Sequence, residues 1–279
     1  ASDQLDITLY YRFAQTNVLG AQREMLDIRR EETVAHSIVS RLVEGPSVTH
    51  DRLSGVFPQG TRVISVSGEG STAFVTLSRD FLGRPDGAPA DWEDSPSWQE
   101  EAALRRWLAV QSLALSLTEN GRYQRVQLYV AANDDDIPER IALAWFDLTQ
   151  EDMSVVLGPC GRDESMMLTP LGTMTMIMEA WAAKDWEAMR PLLAQEGNLP
   201  SASELEAQAR EADVSLLGYA LSGGAPGMDG QRATVVLDAE LHSVSGGDAQ
   251  IVRESVPLVR QTDNWAIEPD VLLSLMIRD

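Results

Sequence analysis

The chain has 279 residues, nearly twice the length of a ~150-residue domain, which points to two domains. It carries 43 acidic residues against 22 basic ones, a net charge of −21; such a surface repels phosphate backbones and anionic lipid, so nucleic acid and membrane surfaces are excluded as partners. At 44% hydrophobic it is not a disordered chain, and its longest apolar run, residues 141–146, falls far short of the ~18 residues that span a bilayer.

In chain order, residues 5–13 alternate apolar and polar through Leu5, Ile7, Leu9 and Tyr11, a half-buried strand. Residues 31–44 place Val34, Ile38, Val39, Leu42 and Val43 at helical spacing, and Gly45-Pro46 stops that helix. Residues 62–67 and 72–77 read as a hairpin across Gly68-Glu-Gly70, and the acidic, proline-containing residues 83–97 as a loop. A helix is predicted over 98–118 with Leu104, Trp107, Leu108, Gln111, Leu115 and Thr118 along one side, ended by Gly121, and a strand over 125–130. The first half thus reads β-α-β-β-α-β. Residues 141–148 are expected as a further strand, and the domain boundary near 158–167, giving domains 1–160 and 161–279. The second half puts helices first, over 170–183, 186–195 and 201–212, then strands over 214–221, 232–243, 250–261 and 265–271. That order means an α+β layer, a curved antiparallel sheet with helices on one face.

Single residues exclude more than they assign. Cys160 is the only cysteine, so an intrachain disulfide and any cysteine-based zinc or iron–sulfur site are ruled out, which suits a cytosolic or a disulfide-independent extracytoplasmic home. Lys184 is the only lysine. Ala1-Ser-Asp3 leads directly into strand-like sequence without a signal peptide, as in a mature or trimmed form.

A family resemblance adds to this reading. Leu42-Val-Glu-Gly-Pro46 resembles a Glu-Gly-Pro helix stop, Phe57-Pro-Gln-Gly-Thr61 a Pro-x-Gly-Thr turn, and Val75-Thr-Leu-Ser78 with Phe81 a Val-x-Leu-Ser-x-x-Phe hairpin exit. The segments 111–118 and 126–130 resemble a final helix and strand. In this order, over about residues 5–132, they resemble the GerMN domain of sporulation and germination proteins and of bacterial envelope lipoproteins. Over about 169–279 the pattern is similar to NTF2-like domains, most clearly in the helix-turn-helix from Glu179 to Met189. The resemblance implies an α+β protein with an N-terminal GerMN-like and a C-terminal NTF2-like domain. It also implies an extracytoplasmic home, the precursor being a membrane-anchored lipoprotein. The partners implied are other envelope proteins, the cell wall or a second copy, bound through the GerMN-like domain.

Candidate sites are few. Asp238, Glu240 and His242 share one face of a strand, as a metal or acid–base site requires, yet Val235, Leu237, Ala239 and Leu241 form the opposite, core-like face, which turns the trio to solvent or a partner. His36 and His50 have no partner at ligand spacing, and Asn133-Asp-Asp-Asp136 lacks the pattern of a calcium loop. Cys160, among turn residues, is expected exposed, with no activating base nearby. Met166, Met167, Met174, Met176 and Met178 read as core filler. No Gly-x-Ser-x-Gly elbow or phosphate-cradling loop occurs. The expectation is therefore a non-catalytic interaction module with no cofactor, no metal and no catalytic residues. The alternative is a small-molecule binding protein or enzyme using an NTF2-like cleft at Trp181, Tyr219 and Trp265.

Overall fold

The computed structural model describes residues 3–47, 52–195 and 199–277. The chain divides into two compact units, Ala1–Met167 and Leu168–Asp279, and each mixes helices with strands, so the protein is α+β.

In the first unit, β1 (Asp3–Phe13) turns back into β2 (Leu19–Ile28), antiparallel from Asp3↔Ile28 to Arg12↔Leu19. Ala14 takes the left-handed backbone (φ 46°) at the reversal, and the Thr16 hydroxyl donates to the Phe13 carbonyl at 2.6 Å. The expected order β-α-β-β-α-β lacks this second strand and a short strand that follows the first helix. Helix α1 (Val34–Glu44) starts where the Thr33 hydroxyl accepts the His36 N–H at 3.1 Å, and ends at Gly45, whose φ of 98° suits glycine, just before Pro46. The short β3 (Leu53–Ser54) pairs with the end of β1, giving a sheet of order β2-β1-β3.

A second sheet begins with the hairpin of β4 (Val63–Glu69) and β5 (Thr72–Ser78), closed by Gly70 (φ 59°) and Ser71. The chain then crosses through α2 (Pro96–Asn120) to β6 (Arg125–Ala131), which lies parallel to β5 from Thr72↔Arg125 to Ser78↔Ala131, as a helical crossover allows. Residues 108–117 of α2 are all buried, so the helix is apolar or satisfied on every side and packs against β1, β6 and α1. The one-sided stripe expected for it was too narrow. The far edge of β6 is covered in two pieces, by β7 (Glu139–Arg140) at Tyr129 and Val130 and by β8 (Cys160–Gly161) at Arg125 and Val126. Residues 141–148 are not the expected strand. They hold a 3-10 turn, Leu143–Trp145, because their backbone bonds locally, as from the Trp145 N–H to the Ala142 carbonyl at 3.1 Å.

The second unit opens with α3 (Pro170–Ala183), whose Met174, Ile177, Met178 and Trp181 are buried. Then come α4 (Trp186–Met189), a 3-10 turn (Arg190–Leu192), and α5 (Ala202–Glu211), which carries a full capping box of Ser201 and Glu204. The helix expected over 186–195 is this short because Pro191 cannot continue an α-helical ladder. An antiparallel sheet follows, of order β12-β11-β10-β9, from β9 (Val214–Pro226), β10 (Arg232–Ser243), β11 (Gln250–Gln261) and β12 (Asn264–Ala266). Its core face carries Val235, Leu237, Ala239 and Leu241, and α3 packs on β9 and β10. The strand expected over 265–271 ends at Ala266, and Pro269 opens α6 (Pro269–Met276) in a helix's first turn.

Candidate functional site

The polar trio of β10 does not converge. Asp238 is held by Arg253 across the ladder, with bonds of 2.7 and 2.9 Å, and this pairing keeps its carboxyl below the usual range. Glu240 is exposed and His242 half-buried. Among the described residues no group of three or more His, Cys, Asp or Glu is placed to hold a metal ion. His36 lies on α1 within reach of Ser40 at 3.4 Å, and His50 is outside the described residues. Asn133 and Asp136 close a turn on each other at 3.0 Å. Cys160, expected exposed, is half-buried because β8 pairs with β6, and burial pushes its thiol pKa up.

The proposed aromatic cleft is rearranged. Trp181 lines a cleft of about 330 Å³, but the aromatic partner beside it is Trp186, not Tyr219 or Trp265. Tyr219 stands on β9 opposite Ala239, and its hydroxyl pKa is raised by burial and by Glu179. Trp265 is buried in β12 with the Arg260 guanidinium 5.9 Å from its ring centre. The cleft arises from two chain reversals. At the end of α3, Lys184 adopts the left-handed conformation (φ 53°), its N–H reaching back to the Ala180 and Trp181 carbonyls, and Asp185 then caps α4 by accepting the Ala188 N–H at 3.0 Å. This turn brings Trp181 and Trp186, five residues apart, to one cleft. At the end of α5, Asp213 is also left-handed (φ 51°) and leads directly into β9. Its carboxylate accepts the Ser243 hydroxyl at 2.9 Å, the Ser245 N–H at 3.2 Å and the Ser245 hydroxyl; those hydroxyl bonds hold its pKa below the usual range. Glu206, Ala209 and Arg210, at i, i+3 and i+4 on α5, form the opposite wall. Trp181 was expected in a cleft from the sequence; the left-handed Lys184 carried no signal of its conformation, being neither glycine nor Asn or Asp.

In the first unit a small cavity bordered by Arg105, Arg106 and Asp86 is about 20 Å³, room for a single water. The free side of β1 is closed by α2. Asn120 Oδ1 accepts the Thr8 N–H at 2.8 Å, its amide donates to the Thr8 carbonyl, Ser116 accepts the Tyr10 N–H at 3.1 Å, and Ser112 donates to the Tyr10 carbonyl at 2.6 Å. At the other sheet, β4 pairs with β5 on one side, and no strand pairs with its other side among the described residues. Ser65, Ser67, Gly68 and Glu69 of β4 are exposed.

Residues 8–134 match the model of the Germane family, described as sporulation and spore germination. Among solved structures, the tandem GerMN domains of the sporulation protein GerM from Bacillus subtilis are similar at 14% identity and a TM-score of 0.37, over 59% of this chain and 48% of that one. The chain therefore spans about half the length of that relative. The first GerMN domain of the same protein is similar at 18% identity and a TM-score of 0.31, over 57% of this chain and 96% of that one. A structure described as a "Putative Lipoprotein" from Clostridium perfringens is similar at 13% identity and a TM-score of 0.31, over 58% of this chain and 89% of that one. No curated protein matches the chain in sequence.

Proposed function

We propose that this protein is a non-catalytic, extracytoplasmic assembly module of the bacterial cell envelope, a reading supported by the match of residues 8–134 to the Germane family model. Its second unit is of NTF2-like type. In this reading the GerMN-type domain binds a second copy or a related domain by adding a strand at β4.

The outer side of β4 carries the proposal: no described strand pairs with it, and helix α1 packs near it without adding a strand. An unpaired edge presents a row of N–H and C=O groups to any strand that can approach, unless proline, lysine or an inward charge guards it. β4 has neither proline nor lysine along its seven residues, and Glu69 is its one charge. The net charge of −21 opposes self-pairing at low salt. Screening shortens that repulsion to ~8 Å at physiological ionic strength, so association strengthens as salt rises.

Glu69↔Thr72 closes the two-residue hairpin turn, so it is a hydrogen-bonded pair, and alternation then turns the N–H of Val66 away from β5. Val66→Pro deletes that outward donor while leaving the β5 ladder. Sedimentation of the full chain across a salt series should show dimers or larger species growing with salt, and Val66→Pro should abolish them with an unchanged circular dichroism spectrum. A strict monomer at high salt, or association indifferent to Val66→Pro, overturns the edge-pairing reading. Cell fractionation checks the location.

A further inference from the structure

The cleft of the second unit contains four charged side chains, and three of them are already answered. Arg210 donates to Glu206 at 3.1 Å, and Asp213 takes its three donors from Ser243 and Ser245. The fourth is Lys184, which enters no ion pair among the described residues. This is the only lysine of a strongly acidic chain. It also sits at a left-handed position, φ 53°, where glycine is the usual and less strained occupant. A lysine held in this conformation beside a cleft motivates a functional hypothesis. Next to it Trp181 and Trp186 are 4% and 7% exposed, so each shows the cleft only the edge of a buried, rigid indole, and Val214, Leu216 and Val244 supply the rest of the apolar lining.

From this arrangement we propose that the cleft binds a small organic monoanion, a carboxylate carried on a flat apolar body. The body lies against the apolar lining formed by Val214, Leu216, Val244 and the indole edges of Trp181 and Trp186, and the carboxylate meets the Lys184 ammonium. A ligand cation finds both acidic groups of the cleft already engaged, and a neutral ligand leaves the ammonium unanswered. The cleft's volume, about 330 Å³, lies at the small end of the ~300–1,000 Å³ typical of small-molecule sites. The proposal does not depend on strand pairing at β4.

The test is calorimetric titration of the full chain with indole-3-acetate, indole-3-acetamide and tryptamine, which share one ring and differ in charge. Indole-3-acetate should bind, with the amide about ten-fold weaker and tryptamine weaker still, the scale of one charge-assisted hydrogen bond. Lys184→Gly removes the ammonium at a backbone conformation that glycine adopts freely, so the fold is not at risk. It should lower the affinity for indole-3-acetate about ten-fold, to that of the amide, and leave the amide unchanged. Lys184→Arg should keep the preference for the anion. The proposal is overturned if indole-3-acetate does not bind at millimolar concentration, if tryptamine binds as well, or if Lys184→Gly leaves the affinity where it was.

Discussion

Arg106 and Glu101 lie five residues apart on α2 and meet the cost of burying charge in opposite ways. Arg106 is 6% exposed and among the described residues enters no ion pair. Its guanidinium donates to the Trp145 and Leu82 carbonyls at 3.2 and 3.4 Å and lies 4.9 and 5.9 Å from the ring centres of Trp145 and Trp92. Burial pulls its pKa down to about 10, so it keeps its charge at neutral pH. Glu101 is instead clasped by two arginines, the 4%-exposed Arg12 and Arg105 at 3.0 Å. Burial raises its pKa, but the hydrogen bonds from Arg12 and Arg105 outweigh burial and leave it below 4.5. A carboxyl whose pKa is depressed by folding stabilises the fold above its unfolded value and loses that contribution as pH falls through its folded value. Glu101→Gln should therefore cost about 2–4 kcal/mol at pH 7, because it strands Arg12 as a buried, uncompensated charge. Urea titrations at pH 7 and pH 3 check this: the gap between the two proteins should narrow at pH 3, and a gap constant with pH refutes the assignment. The Arg105 pair follows the i,i+4 spacing of a helix, whereas the Arg12 pair was not legible in the sequence, since Arg12 and Glu101 are 89 positions apart.

At the scale of elements, the unusual feature is a helix standing in for a strand. Ser112, Ser116 and Asn120 recur every four residues on α2, and their side chains satisfy the Thr8 and Tyr10 backbone groups that a neighbouring strand would otherwise pair. This explains why a helix buried on every side can carry serines at its centre, with Ser112 and Ser116 fully buried. Asn120→Ala should cost about 1–3 kcal/mol, the penalty for unpaired backbone groups. Amide exchange by NMR should show the Thr8 N–H losing protection while the amides of β5 keep theirs. Unchanged protection at Thr8 refutes the capping role. The same feature shows what sequence pattern can and cannot disclose. The alternation of Leu5, Ile7, Leu9 and Tyr11 marks β1 because one of its faces is apolar. Its partner β2 begins Leu19, Gly20, Ala21, Gln22, all buried, so no alternation appears where both faces are covered. Residues 141–148 failed in the other direction, apolar enough for a strand yet bonded into a turn. Pro269 was the overlooked sign that the last segment turns helical.

At the scale of the whole molecule, acidic residues outnumber basic ones in both units, so each carries its own self-repulsion. The second unit also has its own means of holding together. Its sheet is built entirely from β9 to β12, and its core joins Met174, Ile177, Met178 and Trp181 of α3 to Val235, Leu237, Val256 and Leu258 of the sheet. Its size is that of an ordinary independent domain. A polypeptide of residues 168–279 alone should therefore fold, with dispersed amide resonances and a single sigmoidal urea transition of slope about 1–3 kcal/mol per molar. Because its surface is acidic, the transition midpoint should rise when salt goes from 0.01 to 0.5 M, as the screening length falls from ~30 Å to a few ångströms. The cleft residues Trp181, Lys184, Trp186 and Asp213 all lie within this unit, so the isolated piece should bind indole-3-acetate as the full chain does. A fragment that melts without cooperativity and binds dyes of exposed apolar surface is contrary to a separate core. One that folds but loses the ligand preference places the recognition elsewhere than in these residues.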